Sequence, residues 1–301
     1  MNKKKYVNRN YLTTTRIIAL GFLITVIVGT ILLSLPIASA NGTWTDLLTA
    51  AFTSTTSVCV TGLVVVDTFS YWSLFGKGVI LILIQIGGLG IVSIITLFML
   101  LLRMKITLKS TMLLQDAFNL NSKQGLLKFT IKVIKGTFLI EGIGALIYSF
   151  YYCREYGFLK GIWFSVFHAV SAFCNAGIDI MGADSLISYH SNLLMMLNTS
   201  FLIIMGGIGF IVWWDTVEAF RRIRTKRCSI RSAWNGVHLQ TKIAIFMTLL
   251  LLIGGTIVIY FLERSNPDTL GNLSEKDRIL NAFFQSVTFR TAGFAAVSQV
   301  A

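Results

Sequence analysis

Val58-Cys59-Val60-Thr61-Gly62, Phe173-Cys174-Asn175-Ala176-Gly177 and Phe289-Arg290-Thr291-Ala292-Gly293 are three versions of one pentad. Their glycines stand 115 and 116 residues apart (177−62 and 293−177). Ten residues before each glycine is a phenylalanine: Phe52, Phe167 and Phe283. One residue after each is apolar: Leu63, Ile178 and Phe294. Further on, Gln85-Ile86-Gly87-Gly88-Leu89-Gly90 matches Ile204-Met205-Gly206-Gly207-Ile208-Gly209 at an offset of 119 (206−87). Self-similarity at a fixed period marks one supersecondary unit used several times.

The surroundings of each pentad say what that unit is made of. Of the 301 residues 54% are hydrophobic, and only 13% are charged, about half the usual share of a soluble domain. Mean hydropathy is +0.73, with two prolines. A soluble globule, a disordered chain and a secreted disulfide scaffold are excluded. Five long apolar runs remain: Ile17–Leu35, Gly78–Leu102, Gly136–Tyr152, Asn192–Trp214 and Ile243–Leu262. Runs of about 17–25 residues cross a hydrocarbon core of roughly 30 Å. Trp44–Ser57, Gly161–Phe173 and Asp277–Phe289 are too short to cross, and read as buried or re-entrant helices. The pattern predicts an all-α integral membrane protein of repeated span, pore helix and span units around a central pathway. Its segments are 1–16, 17–102 (first repeat), 103–135, 136–220 (second repeat), 221–242 and 243–301 (incomplete third repeat). The first apolar run is too long for a cleaved signal peptide.

Charge placement orients the chain. With the amino terminus inside, segments 1–16, 103–135 and 218–242 carry 5, 7 and 7 of the 26 basic residues, which is the positive-inside pattern. Nine of the 13 acids, among them Asp46, Asp67, Asp179, Asp184 and Asp268, then lie outside. The net charge of +13 is therefore a topology signal, and the run from Arg221 to Arg227 is not read as a nucleic-acid site. Cys59, Cys153, Cys174 and Cys228 show no paired spacing, and His168, His190 and His238 form no metal-ligand motif. Cys59 and Cys174 are expected to be small buried hydrophobes.

The repeated unit has a chemistry of its own. A short helix ending near mid-membrane presents its partly negative carboxyl end, which favours a cation. The chain that returns from it exposes backbone, tolerated at that depth only where it lines a wet path. Carbonyls there can replace a cation's hydration shell, and glycine frees the strand to aim them inward. The turns contain no acid, which favours a monovalent ion. One such turn alone could be a packing feature; three at one spacing, each beside spans, point to pore loops. The GGxG runs permit close helix packing. With no preceding strand they are not dinucleotide fingerprints.

On Thr61-Gly62-Leu63-Val64-Val65-Val66-Asp67, Gln85 to Gly90, Phe167 to Gly177 and Val287 to Phe294, the chain resembles the membrane subunit of the Trk/Ktr/HKT superfamily of potassium transporters, closest to the KtrB type. The resemblance covers nearly the whole chain. It implies four span, pore and span repeats, each with one filter glycine, mapping here onto Gly62, Gly177 and Gly293. Val60, Thr61, Asn175, Ala176, Thr291 and Ala292 would add filter carbonyls. It also implies potassium uptake at the cell membrane, often sodium-coupled as in a symport, with K+ as cargo and no cofactor in this chain. A homodimer on a cytoplasmic ring of nucleotide-binding regulatory subunits is the implied assembly. A sodium-permeable or weakly selective transporter of the same fold is the alternative, and a non-conducting scaffold or sensor a more distant one. No enzyme motif is present: there is no phosphate-binding loop, metal cluster or nucleophile elbow.

By the same resemblance a fourth repeat and the gating loop of the third are missing. Repeat arithmetic puts a fourth glycine near residue ~408, with roughly another 140–150 residues of chain. Arg290, in the family's Arg-Thr-Ala-Gly pattern, is a filter-support residue that pairs with an acid behind the filter, acts in the path or faces the outer vestibule. Glu141, inside the third span, is functional by default because a buried acid is costly, or pairs with a basic neighbour.

Overall fold

The computed structural model describes residues 14–90, 93–94, 126–182, 185–226 and 229–298. Among the described residues the architecture is helical, with one isolated bridge between Ser39 and Trp72. Helix α1 spans Thr14–Ser34. Pro36 ends it, since the residue before a proline is pushed out of the helical region, and Leu35 is extended at φ −65° and ψ 145°. Helix α2, Leu47–Cys59, starts where Asp46 Oδ2 accepts from Leu48 N and Thr49 N. Helix α3, Leu74–Leu89, is capped by Ser73.

The second unit repeats this order. Helix α4 (Leu126–Tyr156) turns at Gly157 into α5 (Phe158–Phe173), and Asn192 caps α6 (Leu193–Gly207). Helix α7, Phe210–Lys226, continues at 101° to α6. Helix α8, Leu239–Glu263, leads to α9, Glu275–Thr288. Ser274 caps α9, and Glu275 and Asp277 in its first turn complement the positive end of its dipole.

Long helices sheathe short ones. Phe167, Phe173, Phe284, Phe294, Tyr148 and Tyr152 fill the centre, and Ser54, Ser57, Ser165, Ser171 and Thr288 are buried among them. The outer helices face outward with apolar side chains: Ile24 on α1 is 58% exposed and Phe246 on α8 is 64% exposed. A continuous apolar surface of that kind marks contact with another apolar phase. Arg16–Ser34, Lys128–Tyr156 and Leu239–Glu263 are long and apolar enough to cross a bilayer.

Three expected spans differ from their sequence reading. The run Gly78–Leu102 begins earlier as α3, at Leu74, and that helix stops at Leu89. Gly90 then takes φ +78°; 91–92 and 95–102 lie outside the described residues. The uncharged run Asn192–Trp214 is not one helix, because Gly209 takes φ +96° and the chain turns sharply between α6 and α7. The last glycine of each GGxG run is thus a breaker that hydropathy cannot register. The third span, expected from Gly136, starts no later than Leu126, so 126–135 are helix and not connecting loop. Segments 1–13 and 103–125, Asp184, Arg227 and Cys228 lie outside the described residues.

Candidate functional site

Each short helix ends the same way. Thr61 N donates to Thr56 O at 3.0 Å, Ala176 N to Ser171 O at 2.8 Å and Gly293 N to Thr288 O at 3.2 Å. These five-residue closures consume carbonyls that a helix end leaves orphaned. Val60 and Asn175 are left-handed at φ 56° and 59°. That is uncommon for any non-glycine residue and strained for a β-branched one. The glycines follow at φ 77° (Gly62), 64° (Gly177) and 81° (Gly293).

The three turns meet. A methyl group on Gly62 would stand 2.7 Å from Ala176 O and 3.4 Å from Ala292 O. One on Gly177 would overlap Ala292 O. Thr291 Oγ1 donates to Asn175 Oδ1 at 2.8 Å, tying the second turn to the third. Gly62, Ala176, Gly177, Ala292, Asn175 and Thr291 are therefore brought together. Val60 and Thr61 lead into the first turn. Beside Gly293 a side chain would meet open space, so the arc is open on that side.

The GGxG glycines seat these turns. A side chain on Gly87 would overlap the Val58 carbonyl, and one on Gly88 the Cys174 side chain. A side chain on Gly206 would overlap the Phe173 carbonyl, while Gly207 faces Asn175 and Thr291. The first glycine of each pair thus touches the helix end of its own repeat; the second, Gly88, meets Cys174 of the next repeat, whereas Gly207 faces Asn175 of its own turn and Thr291 of the next. Sequence reasoning assigned these runs to span packing in general; their contact with the turn backbone is what the structure adds.

Two further features escaped it. Ser54 Oγ, on α2, sits in a notch at Gly29 and donates to Val26 O at 2.8 Å. Ser286 Oγ, on α9, does the same at Gly255, donating to Leu252 O at 2.9 Å. The two serines lie 232 residues apart, whereas Gly62 and Gly293 lie 231 apart. The third turn is one residue shorter than the first, and it has no left-handed residue matching Val60. For the same reason the phenylalanine equivalent to the buried Phe167 is Phe284, fully buried, and not Phe283. Glycine-based alignment concealed the deletion.

With this geometry in view, the whole-chain comparison is decisive: residues 3–299 match the TrkH family, described as cation transport protein. The chain belongs to the TrkH family. It is 41% identical over 289 residues to the potassium/sodium uptake protein NtpJ of Enterococcus hirae, covering 96% of this chain and 61% of that one. It is 39% identical to the Ktr system potassium uptake protein B of Bacillus subtilis, covering 98% and 63%. With the protein of the same name from Vibrio alginolyticus the identity is 34%, covering 94% and 59%. The chain spans about three-fifths of the length of these curated relatives. Family membership and the apolar helices together make it a membrane protein of a transport system.

Two charged residues of this TrkH family member differ from expectation. Glu141 on α4 is 4% exposed and has no basic partner among the described residues. Its Oε1 accepts from Gln85 Nε2 at 3.1 Å and lies 4.0 Å from Cys174 Sγ. It therefore sits behind the junction of the first and second turns, bridging α3 of one repeat to α5 of the next. The expected basic neighbour fails because the α4 lysines, at 128, 132 and 135, lie toward that helix's start. Arg290 is half-buried and makes no ion pair among the described residues, so the expected acid behind the filter is not found there. Cys174 is buried as expected, but its counterpart Cys59 is exposed.

Outside the helices, Asp67 follows the first turn and caps Thr68–Tyr71 through Phe69 N and Ser70 N. Burial pushes its carboxyl up, but the Ser70 hydroxyl, the two amides and Lys77 together hold it below the usual range.

Proposed function

We propose that this chain is the translocating subunit of a potassium uptake system, carrying K+ through a filter of backbone carbonyls. One observation carries the reading: three glycine turns, over a hundred residues apart in sequence, meet with Ala176 O and Ala292 O directed at the neighbouring glycines. A cation stripped of water at mid-membrane needs oxygen ligands, and carbonyl dipoles at helix ends supply them. Val60, Thr61, Gly62, Asn175, Ala176, Gly177, Thr291, Ala292 and Gly293 are the filter positions in this reading. Arg290, half-buried beside the third turn, supports that strand or shapes the outer vestibule. A fourth turn packed on the open side beside Gly293 would close the ring.

The wider assembly follows from the family. The amino terminus lies in the cytoplasm, and the chain works as a homodimer on a ring of nucleotide-binding regulatory subunits. The Bacillus and Vibrio relatives named as parts of a Ktr system support this. Nucleic acid is not a partner, and the chain performs no enzymatic chemistry. The test is growth of a host lacking potassium uptake on low-potassium medium. Rescue by the full-length protein, lost in Gly177→Asp at equal membrane abundance, is expected; no rescue by the parent would overturn the reading.

A second reading is favoured by one comparison. The Enterococcus relative is named for potassium and sodium, so sodium passes as a coupling or competing ion. Sodium-dependent potassium uptake would bear this out, and sodium-independent uptake with no sodium flux would remove it.

A further inference from the structure

One residue in the last turn of each short helix holds both flanks of its glycine. These residues are Thr56 on α2, Ser171 on α5 and Thr288 on α9, and each is almost fully buried. On the near side of the glycine, their backbone carbonyls accept from Thr61 N, Ala176 N, and both Ala292 N and Gly293 N. On the far side their hydroxyls reach the residue that follows it. Thr56 Oγ1 accepts from Leu63 N at 3.0 Å and pairs with Thr61 Oγ1 at 2.6 Å. Ser171 Oγ donates to Ile178 O at 2.5 Å, and Thr288 Oγ1 donates to Phe294 O at 3.0 Å.

Peptide planarity turns these bonds into carbonyl directions. In a trans peptide the C=O of one residue points opposite to the N–H of the next. Thr61 N–H and Ala176 N–H point back into their helices, so the Val60 and Asn175 carbonyls point away from them, toward the meeting point of the turns. By the same reasoning the Thr291 and Ala292 carbonyls point away from α9, and the Gly62 carbonyl away from α2. The Ile178 and Phe294 carbonyls are pulled the other way, back onto α5 and α9. The inward carbonyls thus lie at and before the glycine, and the hydroxyls end the series one residue beyond it in the second and third turns. The first turn is held through an N–H and not a C=O, so its brace is chemically different from the other two.

We infer that Thr56, Ser171 and Thr288 are specificity-determining positioning residues. The Ser171 and Thr288 hydroxyls fix where the carbonyl series stops, and the Thr56 hydroxyl, by holding Leu63 N, keeps the Gly62 carbonyl within it; together they set how many oxygens of fixed direction a passing cation meets. The inference rests on the filter reading above. Removing a hydroxyl leaves a backbone group free to rotate into the path. A site with extra mobile oxygens adapts to a smaller ion, so discrimination falls before transport does.

The test uses the full-length protein in cells lacking their own potassium uptake, measuring potassium and sodium entry side by side. The variants are Ser171→Ala and Thr288→Val, with Ser171→Thr and Thr288→Ser as the conservative pair that keeps a hydroxyl. Loss of one buried hydrogen bond is expected to lower the preference for potassium over sodium roughly three- to tenfold. Membrane abundance stays equal, and the conservative variants keep the parent ratio. An unchanged ratio in Ser171→Ala or Thr288→Val at normal abundance overturns the inference. Where one variant does not accumulate, the other decides. Gly177→Ser, which is expected to keep measurable uptake, is run in parallel and separates the two claims. If it alone changes the ratio, the hydroxyl role falls and the filter stands; if it too leaves the ratio unchanged, the filter reading itself falls.

Discussion

Gly177 is the most constrained residue of the convergence. It needs a left-handed backbone, and its missing side chain makes room for Ala292 O. Gly177→Ser is expected to retain some uptake with reduced preference for potassium, and Gly177→Asp to abolish it; parent-like ratios of potassium to sodium uptake in both would remove Gly177 from the filter. Val60 makes the opposite case. Its left-handed backbone costs about 1–2 kcal/mol in a residue with a side chain, so Val60→Gly is expected to raise the thermal midpoint of the detergent-solubilised protein. No rise would mean that the strain is offset locally. Glu141 supplies a third test. Glu141→Ala strands the Gln85 amide and is expected to destabilise by about 1–3 kcal/mol. Glu141→Gln keeps a partner for it and is expected to lie much closer to the parent. Equal thermal midpoints for the two variants would show that the carboxyl has no bracing role.

At the scale of elements, neighbouring glycines on α8 have opposite duties. A side chain on Gly255 would overlap Ser286 Oγ in the notch that seats α9, whereas one on Gly254 meets open space. Gly255→Ala is expected to force α9 outward and lower the yield of folded protein. Gly254→Ala is expected to be neutral or stabilising by about 0.5–1 kcal/mol, because glycine weakens a helix interior. Similar thermal midpoints for the two would refute the notch. The same logic explains the broken helices. Gly90 and Gly209 end α3 and α6 two residues after glycines packed on the turns, so the seat and the break lie within one helical turn in both repeats.

At the scale of the whole molecule, the basic surface is what bears on orientation. Arg221, Arg222 and Arg224 lie on α7, and Arg231 lies on the segment after it. Anionic lipid attracts such residues by about 1 kcal/mol each near the surface, and a docked regulator would use the same charge. Ser229→Cys is expected to react with a membrane-impermeant thiol reagent only from the cytoplasmic side, in a background lacking other accessible cysteines. Labelling from outside would invert the topology. Neutralising Arg221, Arg222 and Arg224 together is expected to weaken co-purification of a cytoplasmic regulator; unchanged co-purification would leave lipid as the sole partner of this face.

Composition and hydropathy determined that the chain is helical and bilayer-embedded, because apolar runs of spanning length have no other stable home. Self-similarity around Gly62, Gly177 and Gly293 marked the three turns, because φ of +77°, +64° and +81° at these positions favours glycine in each copy. The breaks at Gly90 and Gly209 were hidden, since a glycine inside an apolar run reads alike whether it packs, bends or ends a helix. The Gln85–Glu141 contact and the serine notches were also hidden: each joins residues whose closeness depends on how helices pack, which no local pattern encodes. The one-residue deletion in the third turn could be located only once Ser54 and Ser286 were seen in equivalent notches. What tertiary structure alone decided is the direction of each carbonyl, because that follows from which hydroxyl and which amide the fold brings within hydrogen-bonding reach.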